Sequence, residues 1–243
     1  MKLLEKLQKK NEDLYGASPV TVAFLGDSVT HGCFELRLVN EQAFDTVYER
    51  RNSYSERLVH MLNVFYPRAQ INLINAGISG DNAPNGAKRL VRDVLVYRPD
   101  LTVVCYGLND VMSGAEPEKR EAYVSALRAI FTQLKESGSE VIFMTPNAMC
   151  EYVDPNIRTQ PERSAAEAVS AVSREGRLEA YLQEAKSAAL ECGAKVCDCF
   201  ARWQRLREAG VDTTALLCNR INHPSREMHE LFAVSLLETV FEV

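Results

Sequence analysis

Four short segments of this chain each hold a residue type that acyl-transfer chemistry needs. Phe24-Leu25-Gly26-Asp27-Ser28-Val29-Thr30-His31-Gly32 offers a serine hydroxyl beside a glycine that lets the backbone turn sharply. A hydroxyl is a weak nucleophile until a neighbouring base takes its proton. Asn219-Arg220-Ile221-Asn222-His223-Pro224 offers that base, because an imidazole titrates near neutrality and can accept the Ser28 proton and later return it. Asn75-Ala76-Gly77-Ile78-Ser79-Gly80-Asp81-Asn82 would expose the Gly80 N–H to a developing oxyanion. Tyr106-Gly107-Leu108-Asn109-Asp110 adds the Asn109 side-chain amide as another donor. Each segment alone also reads as an ordinary turn, with Asp81 or Asn82 capping a following helix. Their conjunction is the stronger signal.

Whether the four can meet depends on the elements that carry them. Apolar runs at 20–25, 71–75, 101–106, 140–145 and 195–199 are rich in Val, Ile and Leu and nearly continuous, as strands buried on both faces are. Helical spacing appears at 54–65 (Leu58, Met61, Leu62, Phe65), at 87–96 (Leu90, Val91, Val94, Leu95) and at 117–136 (Tyr123, Leu127, Ile130, Phe131, Leu134). A long helical stretch at 164–192 breaks near Gly176, and a last helix at 224–241 opens on Pro224. Alternation of this kind predicts an α/β fold, a parallel sheet with helices on both faces and right-handed crossovers. In such sheets the working residues sit just beyond the carboxyl ends of the strands. Ser28, Gly80 and Asn109 each follow a predicted strand. The stretches 33–52 and 148–163 read as long loops that shape a pocket.

Gly26-Asp27-Ser28, Ser79-Gly80-Asp81, Gly107-Leu108-Asn109-Asp110 and His223-Pro224 resemble, in order, the four blocks of the GDSL/SGNH hydrolase superfamily, with Val29 where Leu often stands. The resemblance runs from Val20 to Ala233. It implies a three-layer α/β/α sandwich with a five-stranded parallel sheet, the flavodoxin-like SGNH hydrolase fold. One domain would span 1–243, with its core at 18–242 and an N-terminal helical extension over 1–17. It also implies a serine esterase that cleaves a carboxylic ester through an acyl-serine intermediate, with Ser28 as nucleophile and His223 as base. The oxyanion hole would combine the N–H groups of Ser28 and Gly80 with the Asn109 amide. Asp27, His31, Asp110 and Asn222 flank these positions as candidate substrate-binding residues. In this superfamily carboxylates placed like Asp27 and Asp110 usually tie loops together, and His31 also reads as a satisfied loop histidine.

One position departs from the pattern. The superfamily usually carries an Asp three residues before the His, where it orients the imidazole; here Arg220 stands there and cannot accept a hydrogen bond. The substitutes are a side-chain carbonyl of Asn219 or Asn222, a backbone carbonyl, or Asp212. The Asn219 side chain is the orienter expected here. A neutral orienter stabilises imidazolium less than a carboxylate does, so modest turnover and a preference for reactive esters are expected. Short acyl groups, O-acetyl on a carbohydrate first, are the favoured substrate. Thioesterase or lysophospholipase action, or a weakly active or non-catalytic carbohydrate-binding relative, are the alternatives.

Composition narrows the partners. Of 243 residues, 46% are hydrophobic and 25% charged, enough for a sizeable core, and the net charge of -5 gives no reason to expect nucleic acid. The opening Met-Lys-Leu-Leu-Glu-Lys-Leu-Gln-Lys-Lys has no signal-peptide core and no apolar run spans a bilayer, so a cytoplasmic protein without a membrane partner is expected. The seven cysteines are an odd number; Cys197 and Cys199 read as a buried strand end, and no metal or other cofactor is expected. No G-x-S-x-G elbow, G-x-G-x-x-G or Walker A motif occurs. The expected partner is a small-molecule ester. The oligomeric state, a homo-oligomer included, stays open.

Overall fold

The computed structural model describes residues 1–40 and 43–243, and of Leu38, Ala43 and Phe44 the backbone alone. In chain order the elements are α1 (Lys2–Glu12), β1 (Val20–Gly26), α2 (Ser28–His31), β2 (Cys33–Asn40), β3 (Ala43–Tyr48), α3 (Tyr54–Phe65), β4 (Ile71–Gly77), α4 (Ala83–Asp93), β5 (Leu101–Cys105), α5 (Pro117–Glu136), β6 (Glu140–Met144), α6 (Gln160–Arg174), α7 (Arg177–Glu191), β7 (Lys195–Cys197), α8 (Cys199–Glu208) and α9 (Met228–Phe241). Among the described residues, five strands form one parallel sheet in the order β4-β1-β5-β6-β7.

Register shows how the layers form. Phe24 of β1 aligns with Val103 of β5, and Val103 with Ile142 of β6, so these three share a face. Phe143, one residue on, points to the other face because successive side chains alternate. The Phe24 ring meets Tyr54 of α3 edge-on at 5.8 Å, and Tyr54 meets Phe232 of α9. Phe143 meets Phe131 of α5 at 5.7 Å on the opposite face. The helices therefore sandwich the sheet. Each such buried side chain contributes roughly 1.5–3 kcal/mol by leaving water. Leu3 and Leu7 of α1 join the same core. The Glu140 side chain accepts the Leu3 N–H (2.7 Å), and Lys6 pairs with Asp100. Both acidic residues lie where strands begin, so α1 braces the end of the sheet remote from Ser28.

Several boundaries differ from expectation for local reasons. Helix α4 starts at Ala83 rather than 87, because the Asn82 side chain accepts the Asn85 N–H at 3.0 Å and Pro84 suits a first turn. Helix α9 starts at Met228 rather than 224: Pro224 is bridged to Leu217, and Ser225 N–H donates to the Leu216 carbonyl. The stretch 164–192 does break at Gly176, whose φ is 65°, and its first half begins at Gln160. Segment 33–52 is no loop: β2 and β3 pair as an antiparallel hairpin, with Glu41 and Gln42 outside the described residues. The run read at 195–199 stops as a strand at Cys197, where Asp198 caps α8 by accepting the Ala201 N–H. Among the described residues, no helix is long and apolar enough to cross a membrane.

Candidate active site

Strand β1 delivers the nucleophile candidate. Beyond Gly26, the Asp27 side chain accepts the Val29 N–H at 3.0 Å, capping α2, so that Ser28 becomes its first residue, 4% exposed. The end of β4 lies against this turn. Asn75 donates its amide to the Thr30 carbonyl at 2.7 Å, and a Cβ on Gly77 would overlap the His31 backbone. Gly80 follows with φ 77°, a left-handed conformation that glycine adopts freely, and faces open space. Among the described residues, neither the Ser28 N–H nor the Gly80 N–H donates to a protein acceptor. Asn109 gives one amide hydrogen to the Asp81 carbonyl at 2.8 Å, which fixes the amide plane and leaves the other hydrogen free.

The histidine arrives from the far end of the chain, 195 residues away. His223 Nε2 lies 3.0 Å from Ser28 Oγ, and His223 Nδ1 lies 2.7 Å from the Phe34 carbonyl oxygen. A carbonyl only accepts, so the ring proton sits on Nδ1 and the Nε2 lone pair faces the serine hydroxyl. That is the tautomer a general base needs.

The orienter read at Asn219 is corrected by this geometry. Asn219 Oδ1 accepts the backbone N–H groups of Ile221, Asn222 and His223 at 2.9–3.0 Å, and its amide donates to Asn222 Oδ1. With its oxygen pulled to the main chain, Asn219 shapes the turn that presents His223 and leaves the ring to Phe34. Asp212 is likewise engaged elsewhere, accepting from Tyr152 and Ala215. Arg220 points to the Ala215 carbonyl and to Asp154. Asp27 (0% exposed) and Asp110 (3%) have no surface to offer a substrate. They lace loops instead, Asp110 by accepting the Ala83 N–H at 2.9 Å. His31 and Asn222 keep partial exposure; the His31 ring rests on Tyr48 at 4.9 Å.

Burial sets the electrostatics. Loss of water lowers the His223 pKa below the ordinary imidazole value, while the bond to Phe34 and the nearby Glu35 carboxylate pull it back up. Burial pushes the Asp27 and Asp110 carboxyls up to about 7. Beneath them, Arg89 of α4 pairs with Asp81 at 2.6 Å and also donates to the Ala76 and Gly26 carbonyls and to Tyr106 Oη. It thus ties the ends of β1, β4 and β5 together.

Two of these parts escaped the sequence reading. Phe34 acts through its main chain and leaves no side-chain signal. Arg89 is marked only as a charge beside Leu90, with Asp93 one turn on. The segment 148–163 is partly loop, and its Ala148 and Glu151 line a cavity of about 660 Å³ with Arg174, Trp203, Arg207 and Thr213; Ser28 and His223 are not among its lining residues.

A parallel sheet, a serine after its first strand and a histidine before its last helix, in hydrogen-bond contact, define a class of ester hydrolases. The chain belongs to the GDSL-like lipase/acylhydrolase family, whose model matches residues 24–231. It is an ester-bond hydrolase with the three-layer fold of that family. An acetylxylan esterase from Geobacillus stearothermophilus is 25% identical over 224 residues, 89% of this chain and 92% of that protein. The crystal structure of that esterase, Axe2, shares the fold with a TM-score of 0.67 at 23% identity, over 92% of this chain and 94% of the other. An arylesterase from Vibrio mimicus is 34% identical over 88 residues, 35% of this chain and 42% of that protein. LAE5, an alpha/beta hydrolase from the metagenome of Lake Arreo, Spain, shares the fold at a TM-score of 0.65 and 21% identity, over 93% of this chain and 97% of its own.

Proposed function

We propose that Ser28 and His223 hydrolyse short-chain acyl esters, acetyl groups on a carbohydrate foremost. The observation that carries this reading is the 3.0 Å contact between Ser28 Oγ and His223 Nε2, with Nδ1–H held by Phe34. In the first half-reaction Nε2 takes the hydroxyl proton as Oγ bonds to the acyl carbon. The resulting oxyanion would receive the Ser28 and Gly80 N–H groups and the free Asn109 amide hydrogen. The alcohol leaves with the proton from Nε2, and water, deprotonated in turn by His223, releases the acyl group from Ser28. No metal or other cofactor enters these steps. The acetyl preference rests on the acetylxylan esterase relative, which matches most of the chain. The whole chain, 1–243, works as one unit in this reading, since α1 shares its core. We place it in the cytoplasm, in keeping with seven cysteines that are free thiols among the described residues.

Labelling with a serine-reactive fluorophosphonate, lost in Ser28→Ala, separates an esterase from a binding protein on the same scaffold. Hydrolysis of 4-nitrophenyl esters of increasing chain length should fall beyond the shortest acyl groups. A protein that labels but prefers long chains would overturn the acetyl assignment.

A further inference from the structure

We infer that Arg226, gripped on both edges by Glu35 and Glu49, is the positioning residue that holds the Phe34 carbonyl against His223. The inference rests on the esterase reading and concerns how its base is kept in place without the usual carboxylate.

The orienting carbonyl belongs to the hairpin β2–β3, outside the main sheet. Its pairing slips between Cys33 and Leu36, so that Phe34 and Glu35 together oppose Val47, a bulge at the root of the hairpin. Backbone at a bulge is bent away from the regular ladder and needs another restraint to keep a carbonyl at bonding distance. Further along β2, Arg37 and Val39 are exposed, so beyond its root the hairpin packs only in part, through Leu36 and Thr46.

Arg226 supplies that restraint. Its Nη1 and Nη2 donate to the two oxygens of Glu35 at 2.6 and 2.9 Å. Its Nε donates to Glu49 at 2.7 Å, and Nη2 bonds the other Glu49 oxygen. Glu35 is the next residue after Phe34 on β2, and Glu49 follows the end of β3, so one guanidinium closes the base of the hairpin from both strands. The guanidinium carbon also lies 4.6 Å from the centre of the Phe34 ring, which is itself buried against His229. On the other side Arg226 stands three residues past His223. The donor ring and the acceptor carbonyl are thus joined through one short loop, one ion cluster and one peptide. A planar fork with two bidentate edges fixes direction as well as distance, which a lysine cannot do. The cluster carries two negative charges and one positive, leaving a surplus carboxylate charge near the imidazole.

The test compares wild type with Arg226→Met, Arg226→Lys, Glu35→Gln, Glu49→Gln and Ser28→Ala, using 4-nitrophenyl acetate turnover and the proton spectrum of the His223 ring. Wild type should show the far-downfield Nδ1–H signal of a short imidazole–carbonyl bond. Arg226→Met should lose or broaden that signal and drop kcat about tenfold or more with KM nearly unchanged, because misplacement of a catalytic group falls on the chemical step. Arg226→Lys should recover only part. If Arg226→Met does not fold, the two glutamine variants, each opening one edge, carry the same expectation in milder form. Ser28-dependent turnover and an intact downfield signal in folded Arg226→Met, or in both glutamine variants, would overturn the clamp alone. Turnover surviving in Ser28→Ala would overturn the esterase reading, and the clamp's catalytic role with it.

Discussion

Asn109 has its amide plane fixed by the Asp81 carbonyl at 2.8 Å before any substrate arrives. A donor aimed in advance needs no reorganisation when negative charge develops, and losing one typically costs about 3–4 kcal/mol of barrier. Asn109→Ala should therefore fold normally and lose about 10²–10³-fold in kcat with little change in KM, as read from steady-state kinetics. His223 gives a second prediction at this scale. Burial holds its pKa below the ordinary imidazole value, and in the proposed mechanism the ring must be unprotonated to take the Ser28 proton. The acid limb of a kcat/KM profile should accordingly fall below the pH at which a free imidazole titrates, and activity should persist into mildly acidic buffer. A limb at or above the free imidazole value would contradict the dominance of desolvation at this ring.

Elements explain what was legible in the chain and what was not. The central strands and the helices Tyr54–Phe65 and Pro117–Glu136 could be read directly, because their apolar residues keep one period from end to end. The serine, glycine and asparagine were legible for a related reason: each follows a strand by two to four residues, and strand ends are sharp. The hairpin was not: Phe34-Glu35-Leu36-Arg37 alternates apolar and charged residues, a half-buried strand pattern unlike the near-continuous apolar runs of the main sheet. The fourth segment was read correctly as a loop but assigned the wrong orienter. Asn219 looks like a ring partner on the page, and only the folded turn shows three main-chain N–H groups competing for its oxygen. That count also makes a prediction. Asn219→Ala should destabilise the protein by roughly 1–3 kcal/mol through unpaired backbone donors, whereas Asn219→Asp should retain most of the stability. Thermal unfolding of the two variants checks this.

Across the molecule, buried charge makes stability depend on pH. Asp27 and Asp110 hold their protons to about pH 7 in the native state, against 3.8 for an ordinary aspartate. A raised carboxyl pKa means the folded state binds the proton more tightly than the unfolded one. Their contribution is thus fully present below about pH 4 and lost as pH rises through 7. Asp27→Asn keeps an oxygen for the Val29 N–H and removes the ionisation. Urea unfolding at pH 5 and pH 8 should show a smaller loss for the variant than for wild type, by on the order of a few kcal/mol. His229, fully buried with a pKa lowered to about 3, works in the other direction and weakens the protein as pH falls below the imidazole range. The main-chain origin of the carbonyl that holds His223 Nδ1 has a different reach. Alanine scanning removes no peptide oxygen, so Phe34→Ala deletes a ring and keeps the acceptor in the chain. A census of enzymes that counts acids ahead of the histidine would file this one with the broken copies. Only a change that redirects or removes a peptide unit, such as an ester linkage written into the backbone at that point, touches the group itself.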